Sequence, residues 1–143
     1  MYCTRTHLED DIGPARLIEL TDISAAPLGA VDESVMEQAI TAATGEIDAY
    51  TAARYGMPLP VITDLVRDIC VALTLDRLFK FSKPEEVKER AAAARKLLAA
   101  VADGKATLPG MVTTVAESAV GEALFVEPND PVFSRDTLAD YNA

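Results

Sequence analysis

The single imidazole of the chain, His7, stands just before the carboxylate run Glu9-Asp10-Asp11, and the two thiols, Cys3 and Cys70, are far apart in sequence. An imidazole beside carboxylates can relay protons or hold a divalent metal, and a thiol can act as a nucleophile or a soft-metal ligand. The spacings argue against all of these. Consecutive residues on a helix point in different directions, so the three carboxylates do not converge on one ion. A lone histidine in a first helical turn reads as a surface residue. Two distant cysteines make neither a disulfide framework nor a zinc pattern. Cys70 lies in an apolar helical stretch and reads as a small core residue, and Cys3 is assigned no role. There is no nucleophile elbow, phosphate loop or dinucleotide fingerprint. The expectation is therefore no catalytic residue, no cofactor, no metal and no enzyme.

The bulk numbers point the same way. The chain has 143 residues, half of them hydrophobic and a quarter charged, which suits one globular domain with a real core. No apolar run reaches membrane-spanning length and the start lacks a signal-peptide pattern, so an intracellular origin without a membrane is expected. The net charge of −10 is the wrong sign for gripping phosphates, and without tryptophan base stacking has little to work with. Charge is also unevenly spread. Residues 1–108 carry 17 acids and 12 bases, whereas 109–143 carry 6 acids against the single Arg135.

The elements follow from periodicity and punctuation. Thr6 and Glu9 have capping-box spacing, predicting a short helix from His7 to Gly13; Pro14 opens a second with Leu17, Ile18 and Leu20 apolar. A loop covers Thr21 to Val31. Ser34 and Glu37 predict the start of a long helix reaching Arg54, with Met36, Ile40, Ala43, Ile47 and Tyr50 as its apolar stripe. Gly45, inside it, suggests close approach of another backbone. Gly56 is placed for a left-handed stop, and Pro58 and Pro60 hold an extended linker. An apolar helix from about Thr63 to Phe81 belongs at the centre of the bundle. A last one opens at Ser82-Lys83-Pro84-Glu85-Glu86, pairs Glu86 with Arg90, and ends at Gly104. Its lysines and arginines read either as a solvated face with internal pairs or as a patch for an acidic partner surface.

Beyond Leu108 the helical period is lost. The reading is an all-α bundle over 1–108, two short helices and three long ones, followed by an extended C-terminal arm over 109–143. Residues 111–126 fit either a short β-hairpin or an extended run. Phe125, Val132, Phe133, Leu138 and Tyr141 need burial against the bundle or a partner. Burying each yields roughly 1.5–3 kcal/mol, which a loose arm cannot collect by itself.

The central stretch Glu46-Ile47-Asp48-x-Tyr50-x-x-x-Arg54-Tyr55-x-x-Pro58-Leu59, followed by Asp64-x-x-Arg67-Asp68-Ile69-Cys70, resembles the head–tail adaptor proteins of Mu-like tailed phages and prophages. Met1-Tyr2, Leu20-Thr21-Asp22, Pro84-Glu85-Glu86-Val87 and Val132-Phe133-Ser134-Arg135-Asp136-Thr137-Leu138 extend the likeness over nearly the whole chain. Asp48, Tyr50, Arg54, Tyr55, Gly56 and Pro58 read as a structural corner, with Arg54 placed to pair with Asp48 or Asp68.

The resemblance implies a virion protein of the neck, made in the host bacterial cytoplasm. Such a subunit forms a twelve-membered homo-oligomeric ring beneath the portal protein, meets a stopper or tail-completion protein opposite, and lets DNA pass non-specifically. Portal docking then falls to Phe125, Val132, Phe133, Arg135, Leu138 and Tyr141. An acidic lumen lets a duplex slide, and asymmetric charge suits head-to-tail contacts between copies. Two alternatives compete: a head-closure or tail-completion protein, and a small acidic helical regulator or DNA mimic acting on a host protein.

Overall fold

The computed structural model describes residues 1–114. Expectations for Phe125, Val132, Phe133, Arg135, Leu138 and Tyr141, and for a hairpin over 111–126, fall wholly or largely outside the described residues. Among those described there are five helices and no strand: α1 (Arg5–Ile12), α2 (Pro14–Thr21), α3 (Glu33–Thr51), α4 (Asp64–Leu78) and α5 (Glu85–Ala102). The all-α bundle with two short and three long helices is what the periodicity predicted. None of these helices is long and apolar enough to cross a membrane.

The helix starts differ from the predicted caps, for local reasons. Thr4, not Thr6, caps α1, and its N–H donates to His7 Nδ1 at 3.0 Å. His7 thus serves the helix end. At α3 the cap is Asp32, whose Oδ1 accepts from Ser34 N–H at 3.0 Å and Val35 N–H at 3.2 Å. A carboxylate there also favours the positive end of the helix dipole, so Asp32 outcompetes Ser34. Thr63 caps α4 as its position suggested. At the end of α2, Thr21 is buried; its hydroxyl donates to Leu17 O at 2.8 Å and accepts from Asp32 N–H at 3.2 Å. Asp22 Oδ2 accepts from Gly29 N–H at 2.8 Å.

The core is the three-helix unit α3–α4–α5, with α1 against α2 and α4, and α2 against α3. α4 lies at its centre: Val66, Ile69 to Leu75 and Leu78 are all buried. α3 contributes Met36, Ile40, Ala43 and Ile47, and α5 contributes Ala91, Ala94, Leu98 and Val101. Small alanines at these facing positions let the helices approach closely. Phe79 closes α4 under the guanidinium of Arg16, 5.4 Å above its ring, a cation–π contact.

Charge is organised around one network linking the three long helices. Arg95 on α5 bridges Glu46 of α3 at 2.7 Å and Asp76 of α4 at 2.9 Å; Arg77 joins Glu46 at 2.8 Å, and Lys83 joins Asp76. Arg90 does not pair with Glu86 as expected but reaches Asp11, at the end of α1, at 2.7 Å. Lys88 pairs with Glu85 and Lys105 with Asp103. Most of the basic residues of α5 are thus spent within the chain, as a solvated, internally paired face.

Burial opposes ionisation of Glu46 and Asp76, yet the hydrogen bonds from Arg95, Arg77 and Lys83 outweigh it and hold both carboxyls below the ordinary range. A carboxyl lowered by folding stabilises above its unfolded pKa and loses that contribution as pH falls through the folded value. The melting temperature is therefore expected to drop as pH falls below about 4.5, the ordinary glutamate value. Glu46→Gln should be less stable at neutral pH and show a shallower acid drop. Parallel acid slopes in the two proteins would contradict a role for Glu46 in the network.

Gly45 departs from its expected reason. A Cβ built there meets nothing within 4 Å, so no described backbone passes close. Gly45→Ala should therefore stabilise the isolated chain by about 1 kcal/mol, read by chemical denaturation.

Candidate functional site: the corner between the third and fourth helices

The chain between α3 and α4 forms a corner, and its construction starts with a threonine. Thr51 is fully buried, and its hydroxyl donates to Ile47 O at 2.8 Å while its own carbonyl accepts from the N–H groups of Arg54 and Tyr55. α3 ends at this residue, and the chain turns around its carbonyl. Gly56 is not in the left-handed region, so the expected glycine stop is replaced by this threonine-centred turn. The Met57–Pro58 peptide is cis, in place of the extended linker that the two prolines suggested. Leu59 then drops into the core.

Both ends of the described chain close on this turn. From the N-terminal side, the buried Tyr2 phenol donates to Asp48 Oδ1 and accepts from Leu59 N–H at 3.3 Å. Burial and then the Asp48 hydrogen bond push the Tyr2 phenol up to about 12. It stays a neutral donor. From the C-terminal side, Leu108 N–H donates to Tyr55 Oη at 2.9 Å, with both residues almost fully buried. Thr114 then donates to Arg54 O twice, from its N–H at 2.8 Å and its hydroxyl at 3.2 Å. Met111, between them, packs half-buried against the core. The root of the C-terminal segment is thus held against the corner, past the 108/109 boundary read from the sequence.

The corner residues expected from sequence take unequal parts. Tyr55 is buried as foreseen, whereas Tyr50 is only half-buried against the core. Asp48 serves Tyr2 and not Arg54. Arg54 pairs with neither Asp48 nor Asp68 among the described residues; its guanidinium lies over Gly104 instead. α5 ends there in a Schellman turn: Lys105 N–H donates to Ala100 O at 2.8 Å and Gly104 N–H to Val101 O at 3.1 Å, with Gly104 at φ +79°. A Cβ on Gly104 would lie 1.9 Å from Arg54 Nη1. The partial negative charge at a helix C-terminus favours a cation in that place. Met57, Val61 and Ile62 on the corner and Val112 on the C-terminal stretch are exposed apolar side chains.

The sequence model of the family described as Bacteriophage Mu Gp36 matches residues 2–126, most of the chain, including Tyr2, the corner and Thr114. The chain belongs to this family. Gene product J of Escherichia phage Mu is 36% identical to it over 108 residues, 75% of this chain and 76% of that protein. As a Gp36-family member the chain is a Mu-like phage structural protein.

Sequence reasoning for this family member missed Tyr2, Cys3, Leu108 and Thr114. Cys3 and Cys70, which by their sequence spacing make neither a disulfide framework nor a zinc pattern, are both buried with their sulfurs 3.0 Å apart. The one available signal was Tyr2-Cys3 itself, an apolar pair just ahead of a helix that calls for burial.

The geometry at Gly104 yields a double test. Gly104→Ala is expected to cost roughly 1–2 kcal/mol for the left-handed backbone, and more because Arg54 is displaced. In an Arg54→Ala background only the backbone cost should remain. Equal denaturation losses in both backgrounds would mean that Arg54 does not occupy this place.

Proposed function

We propose that the chain is a head-to-tail adaptor subunit of the phage neck. In this reading, copies assemble into a ring of about twelve beneath the portal, the closed symmetry expected of head-to-tail contacts. DNA passes through the ring, and a stopper or tail-completion protein meets its other side. The subunit is structural and carries no catalytic site.

The observation that carries this reading is the double attachment at Leu108 and Thr114. A segment that begins at a fixed point on a rigid helical body can deliver its side chains to a defined place on a neighbour. Preorganising the root lowers the entropy lost on docking. Beyond that root the sequence holds Phe125, Val132, Phe133, Leu138 and Tyr141, side chains of the kind that dominate interfaces, together with Arg135. These are the proposed portal contacts. Family membership supports the phage context, and the net charge of −10 supports a lumen that repels phosphates and lets the duplex slide.

Deleting residues 128–143 is expected to leave the melting temperature of the helical body nearly unchanged while abolishing capture of the portal protein in a pull-down. Portal binding that survived the deletion would overturn the docking role. Absence of the chain from purified virions would overturn the adaptor reading as a whole.

A further inference from the structure

Cys3 and Cys70 are 67 positions apart in sequence, yet their sulfurs are in contact at 3.0 Å inside the core. Cys3 lies in the four residues ahead of α1, and Cys70 lies mid-way along the central helix α4. Both are free thiols, at 1% and 0% exposure. Their surroundings are polar enough to tolerate chemistry. Thr74 Oγ1 is 3.7 Å from Cys3 Sγ, and Thr44 Oγ1 is 4.0 Å from Cys70 Sγ. Among the described residues, the other side-chain hydrogen bonds of this segment are those of the Tyr2 phenol and those of Thr4 with His7.

We propose that Cys3 and Cys70 are an oxidative modification site: a thiol pair that a small-molecule disulfide converts into a reversible intramolecular bond latching the N-terminal segment onto α4. The inference stands apart from the adaptor reading and needs only the geometry of the folded chain.

Releasing the segment ahead of α1 breaks the Tyr2 bonds to Asp48 and Leu59 but leaves α4 packed, so Cys3 reaches solvent at less than the cost of global unfolding. There its thiolate attacks one sulfur of an oxidant such as glutathione disulfide. The oxidant's S–S bond breaks, a mixed disulfide forms on Cys3, and one glutathione leaves. As the segment returns, Cys70 Sγ attacks Cys3 Sγ, forming the Cys3–Cys70 bond and expelling the second glutathione. Two cysteine thiols are oxidised, and one glutathione disulfide is reduced to two thiols that take up the two protons.

The hydrogen bond between the sulfurs pushes the Cys3 thiol up, with burial adding to it, and draws Cys70 down to about 7. With glutathione on Cys3, the thiol placed to resolve the adduct is Cys70, the sulfur that Cys3 meets in the folded chain. Holding both sulfurs in one place makes the second step effectively unimolecular, which favours the internal bond over a second adduct.

The test uses the full-length chain incubated with glutathione disulfide at mildly alkaline pH. Intact mass should fall by two hydrogens, and a non-reducing digest should yield a linked Cys3–Cys70 peptide. Closing so long a loop should raise the melting temperature by roughly 5–10 °C, reversed by dithiothreitol. Cys3→Ala, a volume-tolerant change, should show neither effect while keeping the helical circular dichroism of the parent. Stable glutathione adducts on one or both cysteines, cross-linked dimers, or thiols that remain free after prolonged oxidation would each overturn the proposal. An internal bond that formed without raising the melting temperature would overturn the latch.

Discussion

A buried phenol is satisfied by a backbone amide more than fifty residues away. Tyr55 Oη accepts the Leu108 N–H at 2.9 Å in a place where water has no access. Leaving such a pair unmade costs about 1–3 kcal/mol for each stranded group, a large share of a small domain's stability. The shape of the corner follows from this requirement. Thr51 must end α3 early enough for the chain to turn Tyr55 inward, and α5 must end at Gly104 so that Leu108 can reach the phenol. Arg54, next to Tyr55, is thereby carried over the end of α5.

Two further layers brace this arrangement. The apolar layer is α4, buried on almost every side, which fixes the spacing of α3 and α5. The polar layer is the Glu46–Arg95–Asp76 network with Arg77 and Lys83, which spans the same three helices. Surface ion pairs taken singly contribute little, but this network holds carboxylates that are mostly out of water and each satisfied by two cations. It sets rotation and register among helices whose alanine-rich faces would otherwise slide.

Much of this was legible in the sequence because it depends on local period. The stripes Met36-Ile40-Ala43-Ile47 and Ala91-Ala94-Leu98-Val101 are buried as their spacing requires, and α4 is central because its apolar residues cover most of its circumference. Caps were less legible: Thr6 and Ser34 have the right spacing, but Thr4 and Asp32 offer better geometry two residues earlier. Least legible were the pairings of the corner. Tyr2 with Asp48, Cys3 with Cys70 and Arg54 with Gly104 join residues dozens of positions apart, and such partners leave no periodic trace. Phe125, Val132, Phe133, Leu138 and Tyr141, outside the described residues, stood out in the sequence for an apolar content that a merely solvating tail does not need.

The corner also has a consequence for the order of events during synthesis. Its three closing bonds, Leu59 to Tyr2, Leu108 to Tyr55 and Thr114 to Arg54, span 57, 53 and 60 positions. α1 to α4 can associate while the chain is still emerging from the ribosome, but Tyr55 has no acceptor role to fulfil until Leu108 has cleared the exit tunnel. Long-range closures of this kind slow folding because loop entropy is lost before contacts repay it. The final locking step therefore comes late, and it fixes the root of the C-terminal segment at the same moment. Until Leu108 and Thr114 have emerged, the segment that follows them has no fixed point on the helical body.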